Sequence, residues 1–342
     1  MRALQLTSHG SPGQFRITDL PSLQPGHDEV VVKVRACGLN RLDLWLEEGG
    51  LPIQVQLPRV PGGEISGVIS KLGSDVDEWR VGDRVAIQSN LFCGNCEFCL
   101  RGDESICLKG QLLGVQKDGG FAEEVLVPAR ALVQIPTAVD FETSAALTLA
   151  GSTAMHMLTN RAEIRSADWV LVMGGASGVG SAAIQIAKQL GANVIATAST
   201  LEKRNVAMEV GADHVVDSTS EDWPTEVRQI TDRRGVDIVV EHIGGRMLTQ
   251  AFACLARGGT VVTCGATAGR DVQMNLWPFF VKQQRLVGSY GRNRADMIAT
   301  LEWAAVGKLK AVVHKQYNLA DAPQAFIDLR NRAVLGKAVI VI

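Results

Sequence analysis

Residues 169–198, WVLVMGGASGVGSAAIQIAKQLGANVIATA, constrain the fold more than any other part of this chain. They run from an apolar segment through a glycine-rich turn into a helical pattern, then into a second apolar segment. Ala183, Ile186, Ala187 and Leu190 fall at i, i+3, i+4 and i+7, one face of a helix, and Gly191 supplies the residue that ends it. Two apolar runs joined by a helix make a parallel crossover unit. Further apolar runs follow at residues 214–216, 236–240, 260–264 and 286–287. Strands alternating with helices predict a doubly wound parallel sheet.

The turn GGASGVG sits between strand and helix, where a dinucleotide fold places its phosphates. Glycines let backbone N–H groups approach a pyrophosphate, and the helix N-terminus adds a favourable dipole. Gly175, Ser177 and Gly180 occupy the three positions of G-x-G-x-x-G, so the strict motif is not met. Its place inside a strand–turn–helix–strand unit carries the assignment. The expected cofactor loop is Gly175, Ala176, Ser177, Gly178, Val179 and Gly180. At the end of the second strand an NAD site usually offers Asp or Glu to the ribose. Here Ala198 ends the strand, no acid follows until Glu202, and Ser199, Lys203 and Arg204 lie nearby. A carboxylate would repel a 2′-phosphate, whereas hydroxyl, ammonium and guanidinium groups bind one, so the sequence predicts NADPH over NADH.

The first 130 or so residues have another rhythm. Short β-like runs at 30–34, 67–72 and 84–87 alternate with polar turns, which predicts a compact mostly-β domain. Residues 92–107, FCGNCEFCLRGDESIC, place Cys93, Cys96, Cys99 and Cys107 at the spacing C-x2-C-x2-C-x7-C. Four thiolates close a tetrahedron around Zn²⁺ and leave no position for water or substrate, so a metal here is a staple. Two disulfides, or four free thiols, are the alternative. Seven cysteines, an odd number with four of them clustered, point to a reducing compartment.

The N-terminal MRALQLTSHG has no apolar core of a signal peptide, and no window approaches the roughly 18 apolar residues of a membrane span. A net charge of −2 without a long basic run leaves no footprint for nucleic acid. These features predict a cytoplasmic protein with a small-molecule substrate and neither nucleic-acid nor membrane partners. With 342 residues, 46% hydrophobic, the chain has material for two domains with full cores.

These residues resemble the medium-chain dehydrogenase/reductase superfamily, which includes zinc alcohol dehydrogenases and quinone oxidoreductases. The resemblance covers nearly the whole chain and rests on the β-rich N-terminal domain, the four-cysteine lobe and GGASGVGSAAIQIAKQLGA. It implies an α/β chain: a GroES-like mostly-β catalytic domain from residues 1–150 and 290–342, with a structural-zinc lobe at about 91–108, and a Rossmann domain with a doubly wound parallel sheet at 151–289. Alcohol dehydrogenases of the superfamily hold a second zinc through Cys, His and Cys. Here GLNRLD puts Asn40 at the first ligand position, GGE puts Gly63 at the second while keeping Glu64, and LAGST puts Leu149 at the third. Asn40 is a poor ligand for zinc and the other two offer none. Cys37, Cys254 and Cys264 read as buried residues, so a catalytic zinc is not expected.

Without that Lewis acid, similarity to the zinc-free branch implies hydride transfer from NADPH to a quinone or activated alkene. In that reading Asn40 donates an amide N–H toward nicotinamide or substrate, with Asp43 in the same N-x-x-D motif. Trp45 forms an apolar wall, and Tyr290 in GSYGRN offers its phenol to the enolate. Thr153 in GSTA lies near the nicotinamide ribose or carboxamide, and Gly265 completes the cofactor set. Glu64 pairs with Arg41 or Arg59, and Trp277 in NLWPFF lines the pocket or a subunit contact. Two further readings stand beside it: an alcohol dehydrogenase with displaced metal ligands, and a nucleotide-binding protein without turnover. Family analogy also implies a homodimer or homotetramer.

Overall fold

Strand Glu29–Gly38 organises the first of two compact units. Its valines at 30, 31, 32 and 34 are buried while Lys33 and Arg35 face solvent, the pattern of a pleated strand over a core. It lies antiparallel to Glu64–Leu72 on one side. On its other side Lys337–Val341 pairs with its C-terminal half and Glu124–Pro128 with its N-terminal half. Arg84–Ile87 and Leu132–Gln134 extend the sheet beyond Glu64–Leu72, and Val313–Asn318 runs parallel outside Lys337–Val341, making seven strands. Val30, Val32, Ile65, Ile69, Val85, Phe121 and Phe326 fill the core, each fully buried side chain stabilising by about 1.5–3 kcal/mol. This computed structural model describes residues 1–342, and its first unit is Met1–Ser152 with Arg292–Gly307 and Ala311–Ile342.

Register in this sheet brings distant residues together. Gly38 faces Glu64 on one neighbour and Val339 on the other, so the two strands deliver Glu64 and Lys337 to the end of Glu29–Gly38. There the chain leaves the sheet through Asn40, which begins helix Arg41–Glu48. The four cysteines lie in a lobe containing two short helical turns, Glu97–Leu100 and Glu104–Ile106. Gly94 (φ +78°) and Gly102 (φ +85°) take left-handed conformations that reverse the chain between ligands.

The second unit, Thr153–Gly291 with Lys308–Lys310, holds a six-stranded parallel sheet. Its order is His214–Asp217, Asn193–Ala198, Trp169–Val172, Val236–Glu241, Leu255–Thr263 and Arg285–Gly288. The first strand in sequence sits mid-sheet, so the winding reverses between Trp169–Val172 and Val236–Glu241. Ligands of doubly wound sheets bind at that reversal, beyond the carboxyl ends of the strands. Helix Gly178–Gln189 buries Ala183, Ile186 and Ala187, and Gly191 (φ +83°) follows its end. The apolar run at 260–264 is the second half of a longer strand, Leu255–Thr263.

Candidate functional site

The glycine loop leaves the central strand at the reversal point. Gly174 adopts φ +63°. A Cβ on Gly175 would come within 2.9 Å of Ala196 Cβ and 3.0 Å of Ala207 Cβ, and one on Gly180 within 2.2 Å of the Gly174 carbonyl oxygen. Only glycine allows this approach of loop, helix and strand. Ser177 caps the helix, its Oγ accepting the Gly180 N–H at 2.9 Å. Ala176, Gly178 and Val179 complete the loop, and the N–H groups of the first turn lack partners within the helix. The neighbouring turn is held by buried Glu241, whose carboxylate accepts the N–H groups of Ile243 and Gly244 at 2.6 Å and the Thr263 hydroxyl at 2.8 Å. Beside it His242 stands 3.2 Å from Ser177 Oγ, and Gly265 packs against the His242 backbone. These residues fit a dinucleotide diphosphate.

At the end of Asn193–Ala198, Ser199 is exposed and Thr200 caps the next helix by accepting the Lys203 N–H at 3.2 Å. Parallel register sets Asp217 opposite Ala198, and Arg204 pairs with that carboxylate at 2.7 Å. An acid therefore does lie beside the strand end, contrary to the sequence expectation, because sheet pairing imports it from the adjacent strand. Hydrogen bonds from Thr219, with Arg204 beside it, hold the Asp217 carboxyl below the usual range.

In the lobe, Cys93, Cys96, Cys99 and Cys107 place their sulfurs within 4.8 Å of one another. Separations of 3.5 Å (Cys96–Cys99) and 3.9 Å (Cys93–Cys99 and Cys96–Cys107) match the edge of about 3.8 Å expected for a Zn–S tetrahedron. They are far beyond the ~2.05 Å of a disulfide, and all seven cysteines are free. Backbone N–H groups of Cys99 and Leu108 push the Cys96 thiol down to about 6, favouring the thiolate. The donor set fits a closed structural zinc site.

The positions implied for a second zinc do not fit one. Asn40 donates both amide hydrogens, to the Gly38 carbonyl at 3.1 Å and to Glu64 Oε2 at 3.0 Å, and its Oδ1 accepts from Lys337 Nζ at 2.7 Å. A Cβ on Gly63 would press on the Leu113 carbonyl at 3.1 Å and on Ser89 Cβ at 3.2 Å. Leu149 contributes its N–H to Glu64 Oε1 at 2.6 Å, and Ala150 adds a second bond at 3.0 Å. Glu64 pairs with Lys337, both buried, rather than with Arg41 or Arg59 as the sequence suggested; Arg59 turns to Asp118 at 2.9 Å. With both its amide hydrogens engaged, Asn40 is not the donor toward nicotinamide or substrate that sequence reasoning expected.

Asp43 is also committed. It accepts the Asn40 N–H at 2.8 Å and the Gly62 N–H at 3.1 Å, and burial pushes its pKa up to about 6. Trp45 is half-buried on the same helix. In the second unit Thr153 is buried, whereas Tyr290 is 54% exposed and Trp277 is 70% exposed. Sequence reasoning missed Lys337, Asp217 and His242. For Lys337 the signal was a lysine opening an otherwise apolar strand, KAVIVI.

Residues 26–137 match the family model described as alcohol dehydrogenase GroES-like domain, and 178–306 that described as zinc-binding dehydrogenase. An alcohol dehydrogenase of Geobacillus stearothermophilus is 32% identical over 99% of both chains. An NAD-dependent alcohol dehydrogenase of Sulfurisphaera tokodaii is 30% identical over 100% of both. Among solved structures, an NAD-dependent alcohol dehydrogenase superposes with a TM-score of 0.96 at 37% identity, each chain covered fully. A Sinorhizobium meliloti chain described as a zinc-binding dehydrogenase bound to NADP gives 0.88 at 28% identity, covering 100% of this chain and 99% of the other. These relatives overturn the expectation of a quinone or activated-alkene reductase, which rested on missing metal ligands; what they name is alcohol dehydrogenase. With its GroES-like domain, parallel-sheet domain and full-length similarity to these enzymes, the chain belongs to the medium-chain dehydrogenase/reductase superfamily of oxidoreductases.

Proposed function

We propose that the protein is an NADP(H)-dependent oxidoreductase that interconverts an alcohol and its carbonyl compound. It carries one structural zinc on Cys93, Cys96, Cys99 and Cys107, and no zinc at Asn40, Gly63 and Leu149. The observation that carries this reading is the glycine loop at the reversal point of the sheet, capped by Ser177, in a chain whose full-length relatives are named alcohol dehydrogenases. A nicotinamide held there would supply the hydride acceptor or donor for the carbinol carbon, the hydroxyl proton passing to or from solvent. This chain's loop, residues 175–180, holds the diphosphate, with Thr153 and Gly265 toward the nicotinamide end.

The 2′-phosphate preference is supported by Ser199, Lys203 and Arg204 at the strand end and by neutralisation of Asp217 through Arg204. A structural neighbour binds NADP, while several relatives are named NAD-dependent, so NAD(H) is the arm to compare. Assembly as a homodimer or homotetramer is supported by exposed Leu276, Trp277, Phe280 and Leu286 on and beside the edge strand Arg285–Gly288. No helix is long and apolar enough to cross a membrane, and the clustered cysteines suit a reducing cytoplasm.

The test is turnover of primary and secondary alcohols with NADP⁺ and NAD⁺, and of aldehydes and ketones with the reduced forms, on chelator-washed protein of measured zinc content. Turnover with one zinc per chain supports the proposal. Two zincs per chain would establish a catalytic metal, and cofactor binding without turnover across the panel would favour a non-enzymatic role.

A further inference from the structure

At the reversal point, the loop after Trp169–Val172 and the turn after Val236–Glu241 touch through Ser177 and His242. Ser177 Oγ accepts the Gly180 N–H at 2.9 Å, which leaves its hydroxyl proton to be donated, and His242 Nε2 stands 3.2 Å away as acceptor. The backbone of Met173 and of His242 itself favours a protonated ring, and in the tautomer that keeps its proton on Nδ1 the Nε2 lone pair faces the Ser177 hydroxyl. The ring is packed tightly on the loop: a Cβ on Gly174 would lie 3.2 Å from its Cε1.

We propose that Ser177 and His242 form a proton-coupled latch on dinucleotide binding, in which His242 is a positioning residue that aims the Ser177 hydroxyl either at its own ring or at the cofactor's diphosphate. This rests on the dinucleotide reading above. With a neutral imidazole, the single hydroxyl proton of Ser177 is engaged by Nε2. When one solvent proton adds to Nε2, that nitrogen becomes a donor and Ser177 Oγ accepts from it as well as from Gly180. The hydroxyl proton then turns outward to a phosphate oxygen, and the imidazolium adds a positive charge beside the diphosphate. Proton uptake and cofactor binding therefore strengthen each other by the same factor.

The groups facing the ring are few. Glu241, preceding it on the strand, raises the imidazole pKa, while burial, the larger influence, lowers it. Cys264, at the end of the next strand, stays a neutral thiol because burial pushes it up to about 12. Thr267 bonds the His242 carbonyl rather than the ring.

The experiment is calorimetric titration of NADPH into the wild type, His242→Gln and Ser177→Ala at pH 6, 7 and 8, in two buffers of different ionisation heat. The wild type is expected to gain affinity toward pH 6 more steeply than either variant, by up to about tenfold per pH unit for one linked proton. It should also take up a fraction of a proton that both variants lose. Titration of the 2′-phosphate is common to the three proteins and cancels in the comparison. Should one variant fail to fold, judged by its melting curve, the other carries the test. Equal pH slopes and equal proton uptake in wild type and variant overturn the latch alone. Absence of binding by the wild type to both NADPH and NADH overturns the dinucleotide reading and the latch with it.

Discussion

Lys337 Nζ lies 2.7 Å from Glu64 Oε2, with both side chains buried, and its other hydrogens go to Asn40 Oδ1 at 2.7 Å and the Leu39 carbonyl at 2.8 Å. Two of the ammonium hydrogens go to the turn that follows Glu29–Gly38 and the third to the neighbouring strand. Glu64 in turn accepts from Asn40, Leu149 and Ala150. The cluster is a closed network of satisfied groups around Asn40, the first position at which the resemblance implied a second zinc.

Removing one partner leaves a buried charge. Lys337→Met is expected to destabilise the fold by about 3–5 kcal/mol, and Lys337→Met with Glu64→Gln by clearly less, because no unpaired carboxylate remains. Urea unfolding of the two variants checks this. A single variant as stable as the wild type would show that the pair holds nothing.

Asp43 gives a pH dependence with a definite sign. Its pKa is about 6 in the folded chain against 3.8 ordinarily, because burial disfavours the carboxylate. Protonated in both states in strong acid, it ionises first in the unfolded chain, so stability falls as pH rises from about 4 to about 6 and is level above. The loss is on the order of 3 kcal/mol. Asp43→Asn should flatten that window in urea unfolding from pH 4 to 7, while losing one backbone hydrogen bond worth about 1 kcal/mol. Parallel curves for the two proteins would refute the assignment.

The cysteine lobe also caps a helix. The Ser105 N–H donates to Asn293 Oδ1 at 3.1 Å, and Glu104 Oε2 accepts the Arg294 N–H at 3.3 Å, at the start of helix Arg294–Ala305. Cys107→Ser should remove the zinc and speed amide exchange in the first turn of that helix by about five- to tenfold, the equivalent of a lost cap of about 1 kcal/mol. Unchanged exchange there, with zinc gone, would mean that the lobe holds only itself.

Ser199→Asp tests the cofactor assignment. A carboxylate at the strand end should raise the KM for NADPH by tenfold or more, about 1.4 kcal/mol, and leave that for NADH within about twofold. Equal effects on both cofactors would place the 2′-phosphate elsewhere.

What was legible in the sequence is what local periodicity and spacing carry. The face of Ala183, Ile186 and Ala187 is a repeat of 3.6 residues within a single helix, and the helix forms where that repeat says. The cysteine spacing delivered four sulfurs to one small volume because the lobe is short and its glycines turn the chain. The mostly-β first unit and the parallel sheet of the second likewise follow from alternation and crossover rules. The choice of reaction did not follow: Asn40, Gly63 and Leu149 argued from missing side chains, and full-length similarity to alcohol dehydrogenases corrected it.

What only the tertiary structure decided are pairings between strands far apart in the chain. Lys337 reaches Glu64 because both strands flank Glu29–Gly38 in a particular register, Asp217 reaches Arg204 because its strand lies beside Asn193–Ala198, and His242 reaches Ser177 because the sheet reverses between their strands. A one-residue slip of strand register would turn Glu64, Lys337 or Asp217 to the opposite face of its sheet. Register is set by the packing of whole sheets rather than by neighbours in sequence, and so it is invisible until the sheets are built.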